Sequence, residues 1–150
     1  MESKKILLVE DNENDVELTK RALKKSHILN ELIVADDGVV ALNYFFGEDG
    51  NSGCRIEDLP AVILLDIKLP RVDGLEVLRR LRTHEKTKLI PVVVLTSSNE
   101  QKDIINSYGL GANSFIRKPV KFNDFAEAIR QLGLYWLVLN LPAPNCAPKT

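Results

Sequence analysis

The sequence has no marked excess of charge of either sign. Its 20 basic and 21 acidic side chains give a formal net charge of −1 at pH 7. Proteins that bind nucleic acid along a groove usually carry a marked basic excess. We therefore expect no direct contact between this chain and nucleic acid.

Long hydrophobic runs are also missing. The chain is 45% hydrophobic, but no apolar stretch reaches the about 20 residues that a membrane-spanning helix needs. The first residues, Met1 to Lys5, lead into an apolar run without a signal-peptide pattern. We expect a cytoplasmic protein that does not enter a membrane.

Cysteine and histidine are scarce, with two residues of each. Cys54 and Cys146 lie far apart, and neither belongs to a CxxC or Cys/His cluster, so the sequence predicts no zinc site. We expect both thiols to be free in a reducing cytosol. His27 and His84 have no candidate ligand partners nearby in sequence, and we expect each at a helix end.

The chain does contain short, continuous apolar runs that alternate with amphipathic stretches. Such runs of Val, Ile and Leu are typical of strands buried on both faces, as in a parallel sheet. Alternation with helix-like stretches is typical of an α/β fold. The sequence predicts five strands, at about residues 6–9, 31–35, 61–65, 92–95 and 114–117.

Five such units in one chain predict a single domain over residues 1–150, built on a doubly wound, five-stranded parallel sheet. We expect the strand order 2-1-3-4-5, with five helices covering both faces. Ligands bind such sheets beyond the carboxyl ends of the strands, where the strand order reverses. Within the fourth unit, Ser97-x-x-Glu100 fits a capping box at the start of a helix.

Four of the apolar runs lead into side chains that could serve one phosphorylation site. In chain order they lead to Glu10 with Asp11, to Asp66, to Thr96 and to Lys118. Because the carboxyl ends of parallel strands meet at one edge of the sheet, we expect these five residues to converge.

Three carboxylates around one pocket repel one another. A pair about 4 Å apart costs roughly 4 kcal/mol at an effective dielectric of about 20. The site must take up protons or bind a cation, and oxygen ligands favour a hard ion such as Mg²⁺. With that charge neutralised, Asp66 could attack a phosphorus atom and become an aspartyl phosphate. Lys118 and Thr96 would then contact the phosphoryl oxygens.

These residues resemble the receiver domains of two-component response regulators. The resemblance covers about residues 4 to 140. It implies a flavodoxin-like, or CheY-like, fold and a phosphoacceptor signalling domain rather than an enzyme. The matching pieces are Glu10-Asp11, Asp66-x-x-x-Pro70-x-x-Asp73-Gly74, Thr96-Ser97 and Lys118-Pro119.

The resemblance implies a role for each matching residue at the acidic edge. Asp66 would accept a phosphoryl group from a histidine kinase. Mg²⁺ would be held by Asp11, Asp66 and the backbone carbonyl of Lys68, and by Glu10 through a water molecule.

The remaining matches imply how the phosphoryl group is contacted and sensed. Lys118 would pair with the phosphoryl group, and its peptide bond to Pro119 would be cis. Thr96 and Phe115 would form a conformational switch that changes the surface offered to a partner protein.

Two features resemble the single-domain regulators that are paired with cyanobacterial phytochrome kinases. One is the extra length between Gly47 and Leu59, and the other is the apolar end from Leu134 to Pro142. The resemblance implies a histidine kinase partner, phytochrome-like or of another sensor type. We expect an extension of the last helix and a tail at about residues 134–150. A helix that is apolar on several faces needs a second surface, so this end would form a homodimer or fold back over its own domain.

Two alternative functions are compatible with the same residues. A receiver-like scaffold that never accepts phosphate stays open, since Glu10 replaces the commoner Asp and Lys68 places a cation at the mouth of the pocket. An aspartate-nucleophile phosphatase of the haloacid dehalogenase type would also use a strand-end Asp. That class has a second Asp two residues after the nucleophile, where this chain has Lys68.

Overall fold

The structure, a computed structural model, describes residues 4–119 and 121–144. Its strands form one parallel sheet in the order β2-β1-β3-β4-β5, which confirms the predicted fold class and strand order. The strand bounds differ from the predicted ones by one residue at most. The strands are β1 Ile6–Val9, β2 Leu32–Ala35, β3 Val62–Leu65, β4 Val92–Thr96 and β5 Ser114–Arg117.

Five α-helices cover the sheet, with α1 and α5 packed together on one face and α2, α3 and α4 on the other. Successive side chains of a strand point to opposite faces, so each strand contributes to both hydrophobic cores. The helices are α1 Glu13–Lys25, α2 Gly38–Phe46, α3 Gly74–Thr83, α4 Gln101–Gly109 and α5 Phe122–Gly133.

Side-chain caps fix the starts of the first three helices. The carboxamide of Asn12 caps α1, and the carboxylates of Asp37 and Asp73 cap α2 and α3. Each cap accepts a hydrogen bond from a backbone N–H that has no partner inside the helix. These caps set where the connections that leave the sheet edge turn into helix.

The capping box predicted from Ser97 and Glu100 is wrong. Glu100 is itself the residue before α4, and its side chain makes no capping hydrogen bond. The hydroxyl that reaches this turn belongs to Ser98, which accepts a hydrogen bond from the Glu100 N–H over 3.4 Å. The same hydroxyl donates to Asp103 over 2.5 Å. Because β4 runs on to Thr96, the polar residues of the motif fall in the connection instead of at the helix start.

The last helix continues as a π-helical turn, Leu134–Leu139, which we call the C-terminal extension. Leu137 is buried against the α1/α5 face and Trp136 packs there too. The ammonium of Lys4 donates to the Leu137 carbonyl over 2.7 Å. The extension therefore folds back over its own domain in part, and its remaining apolar side chains are exposed. The predicted tail beyond residue 144, with Cys146, lies outside the described residues.

The scarce residue types occupy unremarkable positions. Cys54 is a free, half-buried thiol, and burial raises its pKa, as expected of an unreactive cysteine. His27 follows the end of α1 and His84 directly follows α3, so both lie at helix ends as predicted. Over the described part of the chain, no helix has the length and apolar character that crossing a membrane requires.

Candidate functional site

Backbone hydrogen bonds continue past the strand ends and position the residues that follow. The Asp66 N–H donates to the carbonyl of Val9 over 3.0 Å, and the Lys118 N–H donates to the carbonyl of Thr96 over 2.7 Å. Asp66 is thereby held beside the end of β1, and Lys118 beside the end of β4. The predicted convergence at one edge of the sheet follows from this register.

An acidic cluster lies where the strand order reverses. Glu10, Asp11 and Asp66 each present a carboxylate oxygen, and these oxygens lie within 4.8 Å of one another. Glu10 and Asp66 are buried, whereas Asp11 is exposed. Burial raises the pKa of Glu10 to about 7; the hydrogen bond from Lys118 opposes the rise, and the charge of Asp66 adds to it. Three oxygen ligands of this kind fit a hard divalent cation.

The ammonium of Lys118 stands inside this cluster. It donates to Asp66 Oδ2 over 3.0 Å, to Asp15 Oδ2 over 2.8 Å and to Glu10 Oε1. Its side chain is only 9% exposed. Burial alone would lower the pKa of Lys118, but the hydrogen bonds to Asp15 and Glu10 and the charge of Asp66 outweigh it and raise the pKa. Lys118 is therefore a fixed cation at the site.

The other oxygen of Asp66 accepts from neutral donors. Thr96 Oγ1, which is fully buried, donates to Asp66 Oδ1 over 2.8 Å, and the backbone N–H of Lys68 donates to the same atom over 3.0 Å. The two oxygens of Asp66 thus have separate environments, one cationic and one neutral. Charge-assisted and neutral hydrogen bonds of this kind orient a carboxylate rigidly.

The side chain of Lys68 points to α4. Its ammonium lies 3.4 Å from Asp103 Oδ2, the oxygen to which Ser98 also donates. Asp103 is only 4% exposed. The hydrogen bond from Ser98, followed by the contact with Lys68, lowers the pKa of Asp103, so this acid is a carboxylate. Lys68, which the sequence places at the mouth of the pocket, is therefore paired with Asp103 of α4.

The connection from β3 to α3 is held tightly against the sheet edge. A Cβ atom on Gly74 would lie 2.3 Å from the carbonyl oxygen of Asp66, so only glycine fits there. Arg71 adopts a left-handed backbone conformation with φ of 64°. Its guanidinium pairs with Asp37, with Nε 2.9 Å from Oδ2. These contacts fix the loop that carries Lys68.

The resemblance to receiver domains implied a cis peptide bond before Pro119 and a switch role for Phe115, and these two predictions have different outcomes. The described residues contain no cis peptide bond, so the cis bond expected before Pro119 is wrong for this structure. Phe115 lies half-buried in β5 against the core of the α2/α3 face. Its role as a switch is not tested by this arrangement and stays a prediction.

Sequence reasoning missed Asp15 and Asp103. Asp15 lies in the first turn of the helix that directly follows Glu10 and Asp11, so its closeness to that pair in the sequence could have found it. Asp103 carries no such signal, because its partners come from the β3–α3 and β4–α4 connections. Neither connection has a regular period from which its path could be inferred.

Comparison with known proteins identifies the class that the fold and site define. Residues 6–130 match the response regulator receiver domain, and the chain belongs to that family. Receiver domains are signalling domains of two-component systems, in which they interact with histidine kinases.

Particular relatives cover almost the whole chain. The response regulator Rcp1 of Synechocystis sp. is 40% identical over 143 residues, which are 93% of this chain and 94% of Rcp1. The phosphorylated cyanobacterial phytochrome response regulator RcpA has a TM-score of 0.84 at 35% identity, over 93% of this chain and 97% of RcpA. The Mn²⁺-bound form of Rcp1 has a TM-score of 0.82 at 36% identity, over 93% of this chain and 99% of that one.

Proposed function

We propose that this protein is a response regulator whose Asp66 accepts a phosphoryl group from a histidine kinase in the presence of Mg²⁺. The observation that carries the proposal is the environment of the Asp66 carboxylate. One oxygen lies 3.0 Å from the ammonium of Lys118, and the other lies 2.8 Å from the hydroxyl of Thr96. The acidic cluster around it suits a divalent cation.

The proposed reaction is an in-line phosphoryl transfer. A carboxylate oxygen of Asp66 attacks the phosphorus of a phosphohistidine; a P–O bond forms, the P–N bond breaks, and the leaving imidazole keeps the electron pair and takes up a proton. Asp11, Asp66 and the backbone carbonyl of Lys68 would hold Mg²⁺, and Glu10 would hold it through a water molecule; the ion would neutralise charge on the phosphoryl oxygens. Two relatives support this proposal, since RcpA is known in a phosphorylated form and Rcp1 in a Mn²⁺-bound form.

The residues of this chain supply positioning and charge. Lys118 would bind a phosphoryl oxygen when its ammonium exchanges its contacts with Glu10 and Asp66 for that oxygen. The hydroxyl of Thr96 would move its hydrogen bond from Asp66 to a phosphoryl oxygen. Phe115, which follows Ser114 at the start of the neighbouring strand β5, would then turn inward and change the surface seen by a partner.

Intact-protein mass tests this function. After incubation with acetyl phosphate and Mg²⁺, we expect the protein to gain the mass of one phosphoryl group. The gain should be absent when Mg²⁺ is omitted, and absent in the variant Asp66→Asn. Asp73→Asn is the matched control, because it removes a carboxylate from the same connection while asparagine still caps α3. If the native protein gains no mass from acetyl phosphate or from a histidine kinase, the scaffold alternative holds instead.

We also propose that the protein forms a homodimer through α5 and the C-terminal extension. The exposed apolar side chains there support this proposal, Val138 being 68% exposed, and adjacent apolar exposure of this kind marks interaction sites. Sedimentation velocity over a range of concentrations should show self-association that Val138→Lys weakens and Ile105→Lys, on α4, does not. A monomer at high concentration, with and without a phosphate analogue, would contradict it.

The cytoplasmic location stays a prediction.

A further inference from the structure

Asp15 is the third carboxylate partner of Lys118, and the proposed chemistry gives it no role. Its Oδ2 atom lies 2.8 Å from the ammonium, closer than that of Asp66 at 3.0 Å. Asp15 belongs to the first turn of α1, where its N–H donates to the Asn12 cap over 3.1 Å. Its carbonyl accepts from the hydroxyl of Thr19 over 2.8 Å. Its backbone is therefore fixed before the side chain reaches Lys118.

The three carboxylate partners of Lys118 differ in whether they also belong to the proposed metal and phosphoryl site. Glu10 and Asp66 belong to the acidic cluster whose oxygens converge within 4.8 Å. In the proposed reaction, both would change partners when a cation and a phosphoryl group arrive. Asp15 lies outside that cluster. It is thus the carboxylate that can keep its contact with Lys118 in every state of the site.

We infer that Asp15 is a positioning residue that holds the ammonium of Lys118 at the phosphoryl site while Glu10 and Asp66 exchange partners. The inference rests on the proposed phosphorylation of Asp66. Lysine ends in a point charge on a flexible four-carbon stem, so it needs an anchor if it is to be oriented before the phosphoryl group arrives. A group that is already oriented loses less freedom in the transition state.

The location of Asp15 makes it a firm anchor. Helix α1 packs along α5 on one face of the sheet, so Asp15 lies on a helix that is packed against the domain and not on a loop. The side chain of Asp15 is 32% exposed, whereas that of Lys118 is 9% exposed. The ion pair of Asp15 with Lys118 therefore joins a buried side chain of the site to a partly exposed one at its edge.

A double-mutant cycle tests whether Asp15 acts through Lys118. The initial rate of mass gain from acetyl phosphate at saturating Mg²⁺ would be measured for the native protein, Asp15→Asn, Lys118→Ala and the double variant. We expect Asp15→Asn to slow uptake by about tenfold in the native background and by less than about twofold in the Lys118→Ala background. An equal loss in both backgrounds would overturn the inference.

Glu13→Gln is the matched control for this cycle. Glu13 lies in the same first turn of α1, is exposed, and carries the same charge. It lies outside the contacts of Lys118, so we expect its loss to change the rate by less than about twofold. A slowing as large as that of Asp15→Asn would show that only the net charge of the turn matters, and would contradict the inference.

A second measurement does not depend on phosphorylation. With ¹⁵N-labelled lysine, the ammonium of Lys118 should give a slowly exchanging NMR signal in the native protein and in Glu13→Gln. In Asp15→Asn the exchange of that signal with water should be at least about fivefold faster, because a charge-assisted hydrogen bond to a carboxylate becomes, at most, a weaker one to a neutral amide. An unchanged exchange rate would overturn the inference. A native protein that takes up no phosphoryl group, yet shows this difference, would refute the proposed function and leave Asp15 as the holder of Lys118.

Discussion

Helices α4 and α5 lie on opposite faces of the sheet, and different forces hold them there. Within α5, the residues buried against the sheet include Phe125, Ala126 and Ile129. Within α4, the buried residues are Asp103 and Ser107, both polar. Apolar burial is the larger and less directional source of stability, whereas a polar contact contributes less and depends on geometry. Helix α4 is therefore the more easily displaced of the two.

The polar contacts of α4 lead to the candidate site. Asp103 binds Lys68 and Ser98, and the N–H of Ser98 donates to Thr96 Oγ1 over 3.3 Å. Thr96 in turn donates to Asp66. A continuous chain of hydrogen bonds and one ion pair thus links Asp66 to α4. The apolar contacts that hold α5 are not part of this chain. The weakly packed helix is thus also the one that hydrogen bonds connect to the site, as would be expected of an element that moves when the site changes.

The largest effect is expected from one substitution made in both helices. Ile129→Ala in α5 removes a side chain that is 1% exposed, and should lower the free energy of unfolding by about 3 kcal/mol. Ile105→Ala in α4 removes one that is 65% exposed, and should change it by less than about 0.5 kcal/mol. Urea denaturation of both variants measures the difference. Equal losses would show that α4 is packed as firmly as α5.

A smaller effect is expected when the polar tie of α4 is weakened. Asp103→Asn keeps the shape of the side chain but removes the charge that pairs with Lys68, and should lower the free energy of unfolding by about 1–2 kcal/mol. Hydrogen exchange should become faster in the amides of α4 and stay unchanged in those of α5. Asp124→Asn, the same substitution in the exposed first turn of α5, is the control. Faster exchange throughout both helices would contradict a local role for Asp103.

The difference between the helices also explains what the sequence could predict. The apolar spacing of Phe125, Ala126 and Ile129 marks α5, and continuous runs such as Ile63 and Leu64 mark the strands, because burial repeats with the period of the backbone. Strand order and the convergence of strand-end side chains follow from that pattern. The acidic cluster was predictable for the same reason, since its members directly follow strands.

Contacts between connections carry no comparable period. The ion pair of Arg71 with Asp37 joins two loops, and the bond of Ser98 to Asp103 replaces the capping box expected from Ser97. In these cases the direction in which each loop leaves the sheet decides which side chains meet. That direction depends on close backbone contacts such as that of Gly74 with Asp66. The fold and the cluster were therefore accessible from the sequence, whereas the polar tie of α4 was not.

The smallest effect is expected at Ser107, the second buried residue of α4. Its hydroxyl is the buried side-chain group of the described residues that has no hydrogen-bond partner. Leaving a buried hydroxyl unpaired is unfavourable, and alanine is the better helix former, so Ser107→Ala should stabilise the protein by up to about 1 kcal/mol. Thr87→Val is the contrasting variant, because that buried hydroxyl donates to the Leu81 carbonyl over 2.7 Å and its removal should destabilise. Thermal unfolding measures both, and slower hydrogen exchange confined to α4 should accompany the first. If Ser107→Ala destabilises as much as Thr87→Val, the hydroxyl has a partner in solution, and α4 is held by more polar contacts than the structure describes.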